Sequence, residues 1–86
     1  MSTADAGVLY IAGIGPGGER EMTPRCRGAI EDSDLIVGYT TYVELIRGVI
    51  GPREVYTSGM RREKDRAAYA LERALAGRRV TLVSGG

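Results

Sequence analysis

The sequence contains no histidine, no tryptophan and no phenylalanine, and Cys26 is its only cysteine. A single cysteine excludes an internal disulfide, so a reducing cytoplasmic setting is the default expectation. Because histidine is absent and only one thiol is present, we expect no His/Cys metal site and no bound metal. No obvious base accompanies Cys26, which we predict to be a small core residue and not a nucleophile.

The chain also lacks an excess of charge of one sign and lacks a long apolar run. Its 86 residues carry a formal net charge of +1. A strong basic bias is typical of nucleic-acid and membrane-surface binders, and a membrane span needs ~20 apolar residues. We therefore expect neither nucleic acid nor a membrane as a partner. Residues 1–7 lack the basic and apolar regions of a signal peptide and are expected to be a disordered lead-in.

Apolar periodicity predicts strands that alternate with helices in the order βαβαβαβ. This order predicts an α/β fold with a parallel sheet, in which right-handed crossovers place the loops that follow the strands on one rim. The first strand is expected to be buried, and the third, which is more polar, to lie nearer an edge. The predicted strands cover residues 8–14, 35–37 (ending at Gly38-Tyr39), 53–57 and 79–83, and the predicted helices cover 24–32, 41–49 and 62–76.

The helices carry specific signals. Thr23 is predicted to cap the first helix, with Pro24 at its first position. In the second helix, four apolar residues fall at helical spacing: Tyr42, Leu45, Ile46 and Val49. In the third, an apolar stripe is predicted at Ala67, Ala70, Leu71, Ala74 and Leu75. Four charged residues of that helix are predicted to lie mostly on a solvated face: Glu63, Arg66, Glu72 and Arg73.

A glycine-rich loop, Gly13-Ile14-Gly15-Pro16-Gly17-Gly18, follows the first strand. Three of its glycines satisfy G-x-G-x-x-G, the dinucleotide fingerprint. Two features oppose that function: the helix signal comes only at Thr23, and the second strand ends at Tyr39 without a carboxylate for the ribose. A Gly-Lys-Ser/Thr is absent, which excludes a P-loop. Two alternatives stay open: a site for a different ligand, or a tight turn with no ligand.

The last predicted strand runs into Ser84-Gly85-Gly86. In a parallel sheet such a strand is expected to continue into a helix that covers the sheet. We therefore expect residues 8–86 to be an N-terminal α/β domain, incomplete at its C-terminus, of a longer protein. Exposed sheet surface would also favour self-association.

Several stretches together resemble a known family. Gly13-Ile14-Gly15-Pro16-Gly17, followed by Met22-Thr23-Pro24 where the family usually has Leu-Thr, resembles the opening of the tetrapyrrole methylases. Val37-Gly38-Tyr39-Thr40-Thr41-Tyr42 and Ser58-Gly59-Met60-Arg61 resemble the branch of precorrin-3B C17-methyltransferases. The resemblance extends from about Val8 to Gly86.

The resemblance implies a two-domain enzyme, usually a homodimer, that uses S-adenosylmethionine (SAM) to methylate a precorrin at C17 with ring contraction in cobalamin synthesis. Cofactor and substrate would lie in the cleft between the domains. Because the second domain is absent from these residues, we expect this piece alone to be inactive. The implied cofactor-binding residues are Gly15, Pro16, Gly17, Ser84, Gly85 and Gly86.

The implied substrate is a large macrocycle rimmed with carboxylates. Arginine binds carboxylates in bidentate fashion, and aromatic rings can stack on a macrocycle. The candidate substrate-binding residues are Tyr39, Thr40, Tyr42, Ser58, Met60 and Arg61, with Arg62 as a further candidate arginine. Tyr42 is equally compatible with the core, and the two arginines with the solvated start of a helix. Hydroxyls of Tyr39, Thr40 or Ser58 could relay a proton, but the sequence identifies no catalytic group.

Two other functions remain open. The first is a nicotinamide-dependent oxidoreductase, against which the missing ribose carboxylate argues. The second is a small non-catalytic α/β module that packs against a partner.

Overall fold

The computed structural model describes residues 7–15, 17–59 and 63–84. Its elements confirm the α/β order, with one predicted helix divided in two. The strands are β1 (Val8–Gly13), β2 (Leu35–Tyr39), β3 (Glu54–Ser58) and β4 (Arg79–Ser84). The α-helices are α1 (Pro24–Glu31), α2 (Thr40–Leu45), α3 (Arg47–Ile50) and α4 (Glu63–Leu75), and a 3₁₀ turn spans Gly18–Glu21. The expected lead-in, apart from Gly7, lies outside the described residues.

The four described strands form one parallel sheet in the order β1-β4-β2-β3. The prediction that the third strand lies at an edge is confirmed. The prediction that β1 is buried is wrong for the described chain, since Ile11 is 72% exposed. The reason is the sheet order: β1 pairs with β4 along one side, and the described residues provide no strand along the other.

Helices cover both faces of the sheet and form two cores. On one face α1, α2 and α3 pack over Ala12, Ile36 and Val83. On the other face α4 packs over residues of the central strands, among them Val37 and Val80. The predicted cap of α1 is confirmed, because the Thr23 hydroxyl accepts a hydrogen bond of 3.1 Å from the Cys26 backbone N–H.

The predicted single helix over residues 41–49 is wrong. Ile46, with φ −122° and ψ 23°, separates α2 from α3, and its N–H donates to Val43 O three residues earlier. This break changes which side chains face the sheet. Val43 is fully buried, whereas Leu45, one of the four apolar residues at helical spacing, is 41% exposed.

The predicted apolar stripe of α4 is only partly correct. Ala70 and Ala74 are buried, but Leu71 and Leu75 are 49% and 75% exposed. The buried face is rotated from the predicted one and includes Arg66, only 7% of which is exposed. The prediction that Arg66 lies on a solvated face is therefore wrong.

A buried polar contact joins α1 to the centre of the sheet. The hydroxyls of Ser33 and Thr81 lie 2.6 Å apart, and they lie 2.8 and 3.2 Å from the Ala29 carbonyl oxygen. Thr81 is fully buried and Ser33 nearly so. These contacts satisfy polar groups that would otherwise destabilise the core.

A charged cluster lies at the amino ends of the strands. Tyr10 donates a hydrogen bond of 2.5 Å to the Asp32 carboxylate, which also pairs with Arg79. The Arg79 guanidinium, followed by the Tyr10 hydroxyl, lowers the pKa of Asp32. The hydrogen bond to Asp32 in turn raises the pKa of Tyr10. The cluster is half exposed, and it ties β1, α1 and β4 together away from the loops that follow the strands.

Among the described residues, the helices are too short and too polar to cross a membrane.

Candidate functional site

The sheet collects the predicted site residues along one edge, which we call the carboxyl rim. It consists of residues 13–15, 17–18, 39–42, 58–59 and 84. Strand pairing makes this rim continuous: Gly13 lies beside Ser84, Val83 beside Gly38, and Tyr39 beside Ser58. Local patterns predicted the strand ends, but the order along the rim depends on the sheet topology.

The helices that follow β2 and β3 lie on opposite faces of the sheet. β2 continues into α2 on one face, while α4, the helix that follows β3, packs on the other face. Because α/β proteins bind ligands outside the carboxyl ends of their strands, the ends of β2 and β3 are a candidate binding place. We call residues 39–42 and 58–59, at these strand ends, the tyrosine half of the rim.

Side-chain contacts hold the tyrosine half together. The Thr40 hydroxyl donates to the Ser58 carbonyl oxygen at 3.3 Å. The rings of Tyr39 and Tyr42 meet edge to face, with centroids 5.3 Å apart and planes at 78°, a favourable geometry for aromatic pairs. Tyr42 also packs on the core beneath α2, which fits the alternative of a core position. Tyr39, Thr40 and Ser58 are thus brought together as predicted, with Tyr42 behind them.

The sequence analysis missed Arg66, which reaches the same half of the rim from α4. Its Nη1 atom donates to Ser58 Oγ at 3.0 Å and to Gly59 O at 2.9 Å. Its guanidinium carbon lies 5.7 Å from the centroid of the Tyr39 ring. The only sequence signal for this position is that Arg66 falls at helical spacing with Ala70 and Ala74. The predicted apolar stripe included those two alanines but not Arg66.

Residues 13–15, 17–18 and 84 form the glycine half of the rim. The N–H of Ile14 donates to Ser84 O at 2.8 Å, so the loop after β1 is joined directly to the last residue of β4. The loop then turns through a bond of 3.0 Å from Gly18 N to Gly15 O. Gly18 has a φ of +62°, a conformation that favours glycine.

The space above the glycine loop holds the carboxylate of Glu21. A Cβ atom added at Gly15 would lie 2.5 Å from Glu21 Oε1, and one added at Gly17 would lie 2.6 Å from Glu21 Cδ. Glu21 is exposed, so its side chain can rotate away. The glycines therefore keep a space that an exposed side chain fills and a ligand could enter.

These features fit SAM. Bare backbone at Gly15 and Gly17 permits close approach of a ligand, and the Glu21 carboxylate beside it favours a cationic sulfonium over an anion. A pyrophosphate would fit less well, because the glycine loop leads into a short 3₁₀ turn at Gly18–Glu21. α1 begins only at Pro24, so no α-helix N-terminus opens in the glycine run.

Several predicted residues lie outside the described part of the chain. For the cofactor these are Pro16, Gly85 and Gly86, and for the substrate they are Met60, Arg61 and Arg62. Their assignments remain predictions.

Cys26 lies behind the glycine half and is buried. Its thiol lies 3.8 Å from Gly13 O, and burial raises its pKa. The prediction of a core cysteine is confirmed, because a buried thiol with a raised pKa is a poor nucleophile.

The fold and the rim define an α/β protein whose candidate site residues gather at the carboxyl ends of its parallel strands. The sequence model of the Tetrapyrrole (Corrin/Porphyrin) Methylases matches residues 8–86. The chain belongs to this family.

Similar proteins support the branch that the motifs indicated. The chain is 44% identical over 80 residues to a cobalt-factor III methyltransferase of Priestia megaterium, covering 93% of this chain and 15% of that protein. It is 40% identical over 81 residues to a precorrin-3B C(17)-methyltransferase of Sinorhizobium sp., covering 93% and 31%. The crystal structure of the methyltransferase CobJ superposes with a TM-score of 0.79 at 41% identity, covering 92% and 33%. The chain thus spans a third or less of the length of each.

Proposed function

We propose that the protein carrying this chain is a SAM-dependent methyltransferase that methylates C17 of a precorrin-type macrocycle, with ring contraction, in cobalamin synthesis. The described residues form one wall of its cofactor and substrate cleft. The observation that carries this proposal is the convergence on one rim of the glycine loop and the Tyr39, Thr40 and Ser58 cluster. Relatives whose names include the same reaction support it.

The glycine half would hold the cofactor through Gly15, Gly17 and Ser84. When bound, SAM supplies an electrophilic methyl group on a sulfonium. The protein's own task is to align the ring carbon with that methyl and to exclude water. Gly15 and Gly17 serve the alignment because they let the ligand approach the backbone closely.

The tyrosine half would hold the macrocycle. The ring of Tyr39 offers an apolar surface, and the hydroxyls of Thr40 and Ser58 stand at the rim. Ser58 Oγ accepts a hydrogen bond from Arg66, which leaves the Ser58 O–H proton for another acceptor. Ser58 is therefore our candidate for moving a proton at the substrate.

An oxidoreductase is the weaker alternative. β2 ends at Tyr39 without a carboxylate, and α1 begins well after the glycine run, so both features that a dinucleotide needs are missing from the described residues. The binding-module alternative predicts neither SAM binding nor turnover.

The direct test uses the complete protein that carries this chain, mixed with methyl-labelled SAM and either precorrin-3B or cobalt-factor III. We expect transfer of the labelled methyl to the macrocycle, measured by mass spectrometry, and SAM binding measured by calorimetry. Binding of NADH with no binding of SAM would favour the oxidoreductase. Binding of neither, with no transfer, would favour the non-catalytic module. The two macrocycles distinguish a metal-free from a cobalt-containing substrate.

We further propose that the complete protein is a cytoplasmic homodimer, as the family resemblance implies. Exposed apolar side chains on the described surface, such as Ile11 and Leu75, support burial against another part of the protein or a second copy. Light scattering of the complete protein measures its mass and so tests the homodimer; a monomeric mass would contradict that part of the proposal.

A further inference from the structure

We propose that Arg66 is a positioning residue, which orients the Tyr39 ring and the Ser58–Gly59 turn for the macrocycle. The inference rests on the proposed function, because it assigns the tyrosine half to the substrate. Arg66 lies in the first turn of α4 and is 7% exposed. It is thus a buried cation at the edge of the tyrosine half.

The contacts of Arg66 link the carboxyl ends of two neighbouring strands. One nitrogen, Nη1, donates both to Ser58 Oγ at 3.0 Å and to Gly59 O at 2.9 Å after β3. The guanidinium plane lies near the Tyr39 ring after β2, with 5.7 Å from Cζ to the ring centroid. This distance is within the ~6 Å range of cation–π attraction. One side chain therefore contacts both walls of the tyrosine half.

The hydrogen bonds from Arg66 matter because the end of β3 is open to solvent at Gly59. A Cβ atom added at Gly59 would meet no atom within 4 Å, so little packs against the turn at that residue. A hydrogen bond from a charged donor is about twice as strong as a neutral one. Burial of Arg66 strengthens its dependence on these acceptors, because a buried guanidinium that loses a hydrogen bond is costly.

Lysine can replace Arg66 only in part in this role. Its ammonium is a point charge without the planar fork that donates to Ser58 while facing a ring. Arg66 acts through Tyr39 and Ser58, so its loss should weaken substrate binding more than it slows the chemical step. The glycine half is held by different contacts, among them the bond from Ile14 N to Ser84 O. SAM affinity should therefore be preserved.

The test compares Arg66→Gln and Arg66→Lys with Arg73→Gln in the complete protein. Arg73 is a matched control on the same helix, since its Cζ lies 4.7 Å from the centroid of the Tyr69 ring, away from the rim. We expect Arg66→Gln to raise KM for the macrocycle by about tenfold or more, with kcat reduced less and SAM affinity within about twofold. Arg66→Lys should show a smaller rise, and Arg73→Gln should stay within about twofold of the wild type in KM.

Amide hydrogen exchange gives a readout that does not depend on turnover. In Arg66→Gln we expect exchange at residues 57–59 to accelerate by about tenfold while exchange in β1 stays unchanged. If the wild type methylates no macrocycle, the proposed function fails, and this exchange pattern still decides whether Arg66 orders the turn. Unchanged KM in an active Arg66→Gln protein, or unchanged exchange at 57–59, would overturn the positioning role. If Arg66→Gln does not fold, Arg66→Lys decides by the same two measurements.

Discussion

Alanine substitutions in the glycine loop separate its structural glycines from those that face the proposed cofactor. At Gly18 the φ of +62° disfavours alanine by ~1–2 kcal/mol. Its new Cβ would lie 3.0 Å from the Leu45 carbonyl oxygen, which is backbone and cannot rotate away. We expect Gly18→Ala to lower the free energy of unfolding by about 2–3 kcal/mol in total.

Gly15→Ala should be almost neutral for stability. Its Cβ would lie 2.5 Å from Glu21 Oε1, but the next atoms are 3.7 Å away. Since Oε1 ends an exposed side chain, a rotation of Glu21 removes the clash, and we expect a loss below ~0.5 kcal/mol. The added methyl would instead stand where the cofactor approaches. Overpacking by ~1–3 kcal/mol corresponds to a loss of roughly 5–150-fold in SAM affinity.

The assays are urea unfolding of the 86-residue chain and a SAM titration of the complete protein. Gly28→Ala is the control, because Gly28 lies within α1 and a Cβ there meets nothing within 4 Å. It should gain about 0.5–1 kcal/mol of stability and leave SAM affinity unchanged. A stability loss at Gly15 as large as that at Gly18 would refute the assignment of the space above Gly15 to a ligand. Wild-type SAM affinity in Gly15→Ala would refute its cofactor role.

Two further predictions concern contacts away from the rim. Because Arg79 lowers the pKa of Asp32 in the folded chain, the stability from this carboxylate is complete above its ordinary range and is lost as the pH falls below ~4. Asp32→Asn should therefore flatten the fall of the thermal midpoint between about pH 4 and pH 2, and an unchanged slope in that range would contradict this. For the buried hydroxyls, Ser33→Ala and Thr81→Val should each cost about 1 kcal/mol by urea unfolding, and the double variant should cost less than their sum, because either single substitution already removes the bond between the two hydroxyls. Simple additivity would argue against a hydrogen bond between them.

The element order could be predicted because it depends on local signals. Alternating apolar runs and the Thr23-Pro24 cap act within a few residues, and the structure reproduces them. The same locality explains why β1 was misjudged. The apolar composition of β1 indicates burial. Its exposure depends on the sheet order, in which β4 is its one neighbour among the described strands.

The prediction of which helix face is buried was wrong where tertiary contacts overrode the sequence periodicity. The pattern of residues 41–49 fits one helix, yet a single non-helical residue, Ile46, changes the inward set and leaves Leu45 exposed. In α4 the charge of Arg66 argued for solvent. Its burial is favourable because acceptors such as Ser58 Oγ and Gly59 O satisfy its donors, and these residues lie outside the helix, where a helical pattern does not include them.

The coupling between the two halves of the rim also lies beyond the sequence pattern. α2 begins at Thr40 in the tyrosine half, and its last residue, Leu45, contacts Gly18 in the glycine half. The Glu19 carboxylate of the 3₁₀ turn accepts a hydrogen bond of 2.9 Å from Gly48 N of α3. The break at Ile46 therefore has a consequence for the site, because it places α2 and α3 where both can support the glycine loop. In the proposed function, the halves that hold cofactor and substrate would share one support, which can keep the fixed spacing that an in-line methyl transfer requires.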